Sequence, residues 1–261
     1  MSEILTRAHI PSASRIVVKV GSSSISGANA AQIAPLVDAL ASAHARGTEV
    51  VLVSSGAIAT GMPFLNLDKR PTDLATQQAA AAVGQNLLIY RYQESLRRFG
   101  IVAGQVLLTA GDLENPAHRS NAERAMERLL GLRILPIVNE NDTVATQEIR
   151  FGDNDRLAAM VAELVSADLL VLLSDVDGLY TKPPDEPGAE RISEVVFGDD
   201  LRDVTFGDIG AAGVGSGGAS TKVAAARHAA ATGTPVLVTE TSKAMDALAG
   251  AELGTWFAAK S

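Results

Sequence analysis

The sequence predicts an α/β fold with a mostly parallel sheet covered by helices on both faces. Three observations carry that expectation. Short apolar runs without polar alternation recur along the chain, as strands buried on both faces require. Helical patterns stand between them, and the alternation of strand and helix implies a parallel sheet. Several of the runs also break into glycine, serine or asparagine at their carboxyl ends, the side of an open α/β sheet where ligands bind.

The first strand, Arg15-Ile16-Val17-Val18-Lys19-Val20, carries one lysine near its end and opens into Gly21-Ser22-Ser23-Ser24. A lysine there, beside backbone N–H groups and hydroxyls, suits an anion. The plain alternative is a lysine that extends to solvent. Helical spacing follows from Ala30 to Arg46, stopped by Gly47, with Pro35 tolerable only in a first turn. A second strand, Glu49 to Val53, ends in Ser54-Ser55-Gly56-Ala57 before a short helical piece. Asp73 to Phe99 reads as one long helix in which Gly84 is a weak point. Ile101 to Leu108 is a third strand, and Asn115-Pro116 opens a helix to Leu130.

The fourth strand, Ile134 to Val138, runs into Asn139-Glu140-Asn141-Asp142. Thr143 to Phe151 has the character of a small hairpin, and Gly152-Asp153-Asn154-Asp155 is expected to cap a helix from Arg156 to Ser166. Leu169 to Leu173 is the fifth strand, ending in Ser174-Asp175. Pro183 to Gly188 is a loop. The glycine-rich stretch Gly207 to Gly218 leads through Ala219-Ser220-Thr221-Lys222 into an alanine-rich helix ended by Gly233. Pro235 to Val238 and Thr255 to Phe257 are the last strand candidates. No repeat or linker divides the chain, so residues 1–261 are expected to form a single domain.

Composition narrows the function. The chain has 261 residues, 47% hydrophobic, with 22 Lys+Arg against 30 Asp+Glu and a formal net charge of -8. Such an acidic protein is not built to bind nucleic acid or an anionic membrane, so any anion site must be a local cluster of positive groups. Cysteine is absent, which excludes disulfides and thiolate metal sites, and the four histidines show no metal-ligand spacing. Met1 to Ser14 lack a signal-type apolar segment, and a cytoplasmic location is expected.

Gly213-Val214-Gly215-Ser216-Gly217-Gly218 matches a dinucleotide fingerprint in letters only. No buried strand precedes it, and no acidic residue follows at the distance a ribose needs. Lys222 nevertheless falls in a first helical turn, where a cation opposes the helix dipole by a few tenths of a kcal/mol. An anion on that terminus, among glycine amides, would make the placement favourable, while a surface loop is the plain alternative. A second cluster joins Asp142, Asp153 and Asp155 with Asn139, Asn141 and Asn154, more polar groups than capping alone requires. Glycosidase chemistry is disfavoured by only 4% aromatics. Serine hydrolysis lacks the nucleophile elbow and a placed histidine. Two lysines at phosphate-like sites, without an evident general base, suit phosphoryl transfer to an acceptor that is already anionic, such as a carboxylate.

These motifs resemble the amino-acid kinase family, and within it the glutamate 5-kinase branch. The matching stretches are Val17 to Ser22, Val53 to Ile58, Val138 to Asp142, Phe151 to Asp155, Ser174-Asp175 with Gly178 to Thr181, and Gly215 to Lys222. The resemblance implies a three-layer αβα sandwich, the amino-acid kinase fold. It implies transfer of the γ-phosphate of ATP to the side-chain carboxylate of L-glutamate, giving L-glutamyl 5-phosphate for proline biosynthesis. Mg²⁺ would travel with the nucleotide, with no metal held by the protein itself, and a homo-oligomer is implied. By position, Ser55, Asp142 and Asn154 would hold glutamate. Ser174, Asp175, Ser216, Gly217, Gly218, Ala219, Ser220, Thr221 and Lys222 would hold ATP, with Lys19. Lys19 and Lys222 would neutralise the transferring phosphoryl group, with Asp155 orienting them. Many members carry a further C-terminal PUA module, and this chain stops at Ser261, soon after Gly254 to Phe257. The rivals are a sister kinase acting on N-acetylglutamate or a nucleoside monophosphate, and a non-catalytic amino-acid sensor on the same fold. The joint presence of Lys19, Lys222 and the glycine-rich loop argues against the sensor.

Overall fold

The computed structural model describes residues 4–145, 154–202, 204–205 and 218–260. Its centre is β1 (Arg15–Val20), in which every residue after Arg15 is buried. β1 lies between β2 (Glu49–Ser54) and β5 (Leu169–Ser174), parallel to both. β4 (Leu135–Glu140) pairs with β2, and β3 (Ala103–Leu108) forms the outer strand on that side. On the other side β9 (Val236–Glu240) pairs parallel with β5. β10 (Thr255–Phe257) then runs antiparallel to β9 and carries β8 (Glu194–Val195) at the edge. The order across the sheet is β3-β4-β2-β1-β5-β9-β10-β8. A separate ribbon pairs β6 (Leu179–Tyr180) with β7 (Arg191–Ile192).

Side chains alternate across each strand and so feed two cores. Ile16, Val18 and Val20 join one cluster with α1 (Ile33–Ala45) and α3 (Leu74–Arg97). Val17 joins the other with α5 (Pro116–Gly131), α6 (Asn154–Leu164) and α7 (Ala219–Ala231). Helices thus cover both faces of a mostly parallel sheet, which is the predicted three-layer sandwich. Lys19 shares the parity of Val17 and therefore emerges on the α6/α7 face. The short helices are α2 (Ala57–Gly61), α4 (Ala110–Glu114) and α8 (Ala244–Leu248).

Pro35 does fall in the first turn of α1, and Asp73 caps α3 by accepting the Thr76 N–H at 2.8 Å. Asn115 caps α5 by accepting from the backbone of Ala117 and His118, with Pro116 in the first position. The differences from the sequence reading lie in short elements. α4, α8, β6, β7 and β8 are five residues or fewer, too short for a period to register. β4 extends two residues further than expected and takes in Asn139 and Glu140, both buried. α6 begins at Asn154 rather than Arg156, so Asn154 and Asp155 are first-turn residues and not flanking caps. The expected hairpin over Thr143 to Phe151 and the glycine-rich stretch before Gly218 fall largely outside the described residues.

Gly84, a weak point by propensity, has a tertiary reason. α2 crosses α3 so closely that a Cβ on Gly84 would lie 1.8 Å from the Ala57 carbonyl oxygen. A Cβ on Gly61 would lie 1.9 Å from the Ala80 carbonyl oxygen. Two glycines facing each other let the helix backbones touch, and the cost in helix propensity is offset by that contact.

Candidate active site

Connectivity locates a cleft. From β1 the chain moves to β2 on one side, whereas β5 lies on the other, so the carboxyl ends of β1 and β5 flank a topological switch point. Lys19 approaches that point from β1, α6 starts there with Asn154-Asp155, and α7 starts there with Ala219 to Lys222.

Asp155 is the hub. It is wholly buried, and its two carboxylate oxygens are divided between two lysines from distant parts of the chain. Oδ1 forms an ion pair with the Lys19 ammonium. Oδ2 lies 3.1 Å from Lys222 Nζ. Lys19 is 2% exposed and Lys222 13%. The Thr221 hydroxyl sits 3.2 Å from Oδ2 and 2.9 Å from the Gly218 carbonyl, its one hydrogen serving one acceptor at a time, while it accepts the Gly218 N–H at 3.1 Å. Charges this deeply buried persist only when paired. Two ammonium groups gathered on one carboxylate concentrate positive groups at the cleft of an acidic protein, a setting for an anion. The contact also changes the account of Lys222: Asp155 supplies the countercharge that the helix start would otherwise need from a ligand.

Next to this hub, a cleft of about 470 Å³, counting its solvent-open mouth, is bounded by Ser174 and Asp175 after β5 and by Gly218, Ala219 and Lys222 at the head of α7. Its remaining wall includes Leu179, Val238 and Phe257. An apolar slot beside lysine and backbone N–H groups fits a flat ring joined to phosphates. The Ser174 hydroxyl donates to Asp175 Oδ1 at 3.0 Å. Ser220 lies on the first turn of α7, and Ser216 and Gly217 lie outside the described residues.

On the other side of the hub, the ends of β2 and β4 meet the start of α6. Asn154 Nδ2 donates to the Ser54 carbonyl at 2.8 Å and to Asn139 Oδ1 at 2.7 Å. Asn139 Nδ2 donates to Gln85 Oε1 at 2.6 Å. Ser55 follows Ser54, half-buried, its N–H bonded to the Val20 carbonyl at 3.1 Å. Asp142 is half-buried in the turn after β4, where Asn141 O accepts from the N–H groups of Val144 and Ala145. Asp153 lies outside the described residues.

Lys19, Asp155 and Lys222 are thus brought together, with Ser174, Asp175, Gly218 and Ala219 on one side and Asn154 on the other. Sequence reasoning missed the apolar wall, because Leu179, Val238 and Phe257 look like any core residues. It also missed α3, whose Tyr92 and Gln85 meet Ser54 of β2 and Asn139 of β4, and whose Gln78 meets Ala145 in the segment after β4. Their spacing of seven was the available signal.

The model of the "Amino acid kinase family" matches residues 14–240. The chain belongs to the amino acid kinase family. It is 75% identical to the glutamate 5-kinase of Clavibacter sepedonicus over 256 residues, 98% of each chain. It is 57% identical to that of Streptomyces coelicolor over 255 residues, 96% of this chain and 68% of that one. Among solved structures, carbamate kinase from Giardia lamblia bound to AMP-PNP superposes with a TM-score of 0.67 at 16% identity, covering 96% of this chain and all of that one. That likeness concerns the fold alone. Among the described residues, no helix is long and apolar enough to cross a membrane.

Proposed function

We propose that the protein is a glutamate 5-kinase: it transfers the γ-phosphate of ATP to the side-chain carboxylate of L-glutamate, the first step of proline biosynthesis. Residues 1–261 act as one kinase domain. One observation carries the chemistry, namely the buried Asp155 carboxylate that holds Lys19 and Lys222 at a single point between two subsites. The near full-length glutamate 5-kinase relatives support the choice of acceptor.

A carboxylate oxygen of glutamate attacks the γ-phosphorus while the bond from that phosphorus to the β-bridging oxygen breaks. An acyl phosphate, L-glutamyl 5-phosphate, and ADP result. The attacking group is ionised at neutral pH, so no general base is needed. What the protein supplies is alignment and countercharge for the phosphoryl oxygens. Lys19 and Lys222 provide the countercharge, and Asp155 keeps two like charges close together without repelling each other out of position. Ser55, Asp142 and Asn154 hold glutamate. Ser174, Asp175 and Ser216 through Lys222 hold the nucleotide.

The ammonium and backbone N–H groups at the cleft suit phosphate oxygens, and the Asp175 carboxylate at its edge suits a cation carried by those phosphates. Mg²⁺ fits as the companion of the ATP phosphates, where it would neutralise β and γ oxygens. The protein works in the cytoplasm, as a homo-oligomer.

The deciding experiment is an ADP-release assay with glutamate, N-acetylglutamate, aspartate and UMP as acceptors. Glutamate-dependent turnover is expected, with the other three at least about tenfold poorer in kcat/KM, as loss of one paired charge or hydrogen bond would give. Preference for N-acetylglutamate or UMP would overturn the acceptor, and no turnover with any of the four would overturn the kinase reading.

A further inference from the structure

α3 presents a polar stripe to the substrate side of the sheet. Gln78, Gln85 and Tyr92 recur at seven residues, two turns of helix, and so lie on one face. Each bonds a different segment of the site wall. Tyr92 OH and Ser54 Oγ are 3.0 Å apart. Gln85 Oε1 accepts from Asn139 at 2.6 Å, and Gln78 Nε2 donates to the Ala145 carbonyl at 3.3 Å. Gln85 directly follows Gly84, the residue at which α3 touches α2. Backbone contact therefore sets the depth at which the Gln85 amide enters the wall.

The amides beyond it have defined directions. Asn139 Oδ1 accepts from the Glu140 N–H at 2.8 Å and from Asn154 Nδ2 at 2.7 Å. Turning the Asn139 carboxamide over would set donor against donor at both places. Its Nδ2 must therefore face Gln85, which meets it with an acceptor oxygen. Asn154 Nδ2 in turn commits its two hydrogens to Asn139 Oδ1 and Ser54 O. By the inventory of a carboxamide, what Asn154 offers to a ligand is its oxygen. An acceptor there suits a substrate that brings donors, as an α-ammonium group does.

We propose that Gln85 is a positioning residue for the amino-acid subsite: through Asn139 it fixes the Asn154 carboxamide with its oxygen toward the substrate's ammonium. This rests on the reading above that free glutamate is the acceptor. Gln85 touches no substrate and acts only through the two asparagines.

Steady-state kinetics of the full chain test it, with glutamate and ATP each varied, for wild type, Gln85→Met and Gln85→Glu. Methionine keeps the shape and removes the acceptor, leaving the buried Asn139 donor without its partner. Glutamate KM should rise about tenfold or more, with ATP KM within about twofold. Glutamate at position 85 keeps an accepting oxygen in either protonation state and should bring glutamate KM back to within about threefold of wild type. KM does not depend on how much enzyme is folded, so a merely structural role would lower the melting temperature and apparent kcat but leave KM alone. An unchanged glutamate KM in Gln85→Met, equal rises for both substrates, or no rescue by Gln85→Glu would each overturn the proposal. Should Gln85→Met fail to fold, Gln85→Asn, one methylene shorter, reads the same quantity in the same direction. Wild type that turns over ATP without using glutamate would instead sink the acceptor assignment itself, and this inference with it.

Discussion

Asp155→Asn is the sharpest perturbation available, because it changes one charge and almost no volume. Asp155 is fully buried between Lys19, 2% exposed, and Lys222, 13% exposed. The substitution leaves two ammonium groups facing each other, one of them with almost no water to screen it. Removing one partner from a buried ion pair costs about 3–5 kcal/mol. At roughly 2–4 °C per kcal/mol for a domain near this size, the melting temperature should fall by about 6–20 °C. Turnover should fall by about 10²-fold or more, since both charges proposed to stabilise the transferring phosphoryl group lose their placement. A triple variant, Lys19→Met with Asp155→Leu and Lys222→Met, separates the two effects. Replacing a whole buried ionic cluster by apolar groups is often neutral for stability, so the melt should recover while activity does not. Thermal melts and ADP-release rates on the three proteins decide it. A single variant melting within about 2 °C of wild type, or a triple variant no more stable than the single, would refute the claim that Asp155 balances both lysines.

Asp142→Ala should raise glutamate KM by about 10- to 150-fold, the equivalent of losing a charge-assisted pair worth roughly 1.5–3 kcal/mol. ATP KM should hardly move; an unchanged glutamate KM with a lower melting temperature would make Asp142 only a turn residue. Gly84→Ala should destabilise by about 1–3 kcal/mol, although alanine is the better helix former, because the new methyl would lie 1.8 Å from Ala57 O. A thermal melt reads this directly, and a gain in stability would refute the close crossing. Tyr92 is fully buried, and burial raises its phenol pKa well above the ordinary value, against a smaller opposing effect of the Ser54 hydrogen bond. The folded state therefore holds the phenol proton more tightly than the unfolded chain. The stability this contributes is complete below the unfolded value of about 10 and is lost as pH rises from there toward the folded value. Melting temperature should decline less steeply above pH 10 in Tyr92→Phe than in wild type, and equal slopes would count against it.

The sequence by itself was enough for the layered α/β class, because strands buried on both faces cannot alternate in polarity and must be apolar throughout. β1, β2 and β5 were legible for that reason, and so were the polar breaks at their carboxyl ends, where Lys19, Ser55 and Ser174 sit. Asn115-Pro116 and Gly233 marked the ends of their helices through local backbone chemistry. The start of α6 was not legible, because Asn and Asp have the same local preference for a cap whether they precede the helix or begin it. Only the packing of α6 across the sheet decides that Asp155 turns inward. The meeting of Lys19 with Lys222, about two hundred residues apart in sequence, belongs wholly to the tertiary structure, since a parallel sheet places strand ends side by side irrespective of their distance along the chain. Gly84 changes meaning by the same route: a defect in an isolated helix becomes the place where two backbones touch. Gln85 and Tyr92 had no local signature beyond a spacing of seven, and what they bond is set by the helix crossing rather than by their neighbours in sequence.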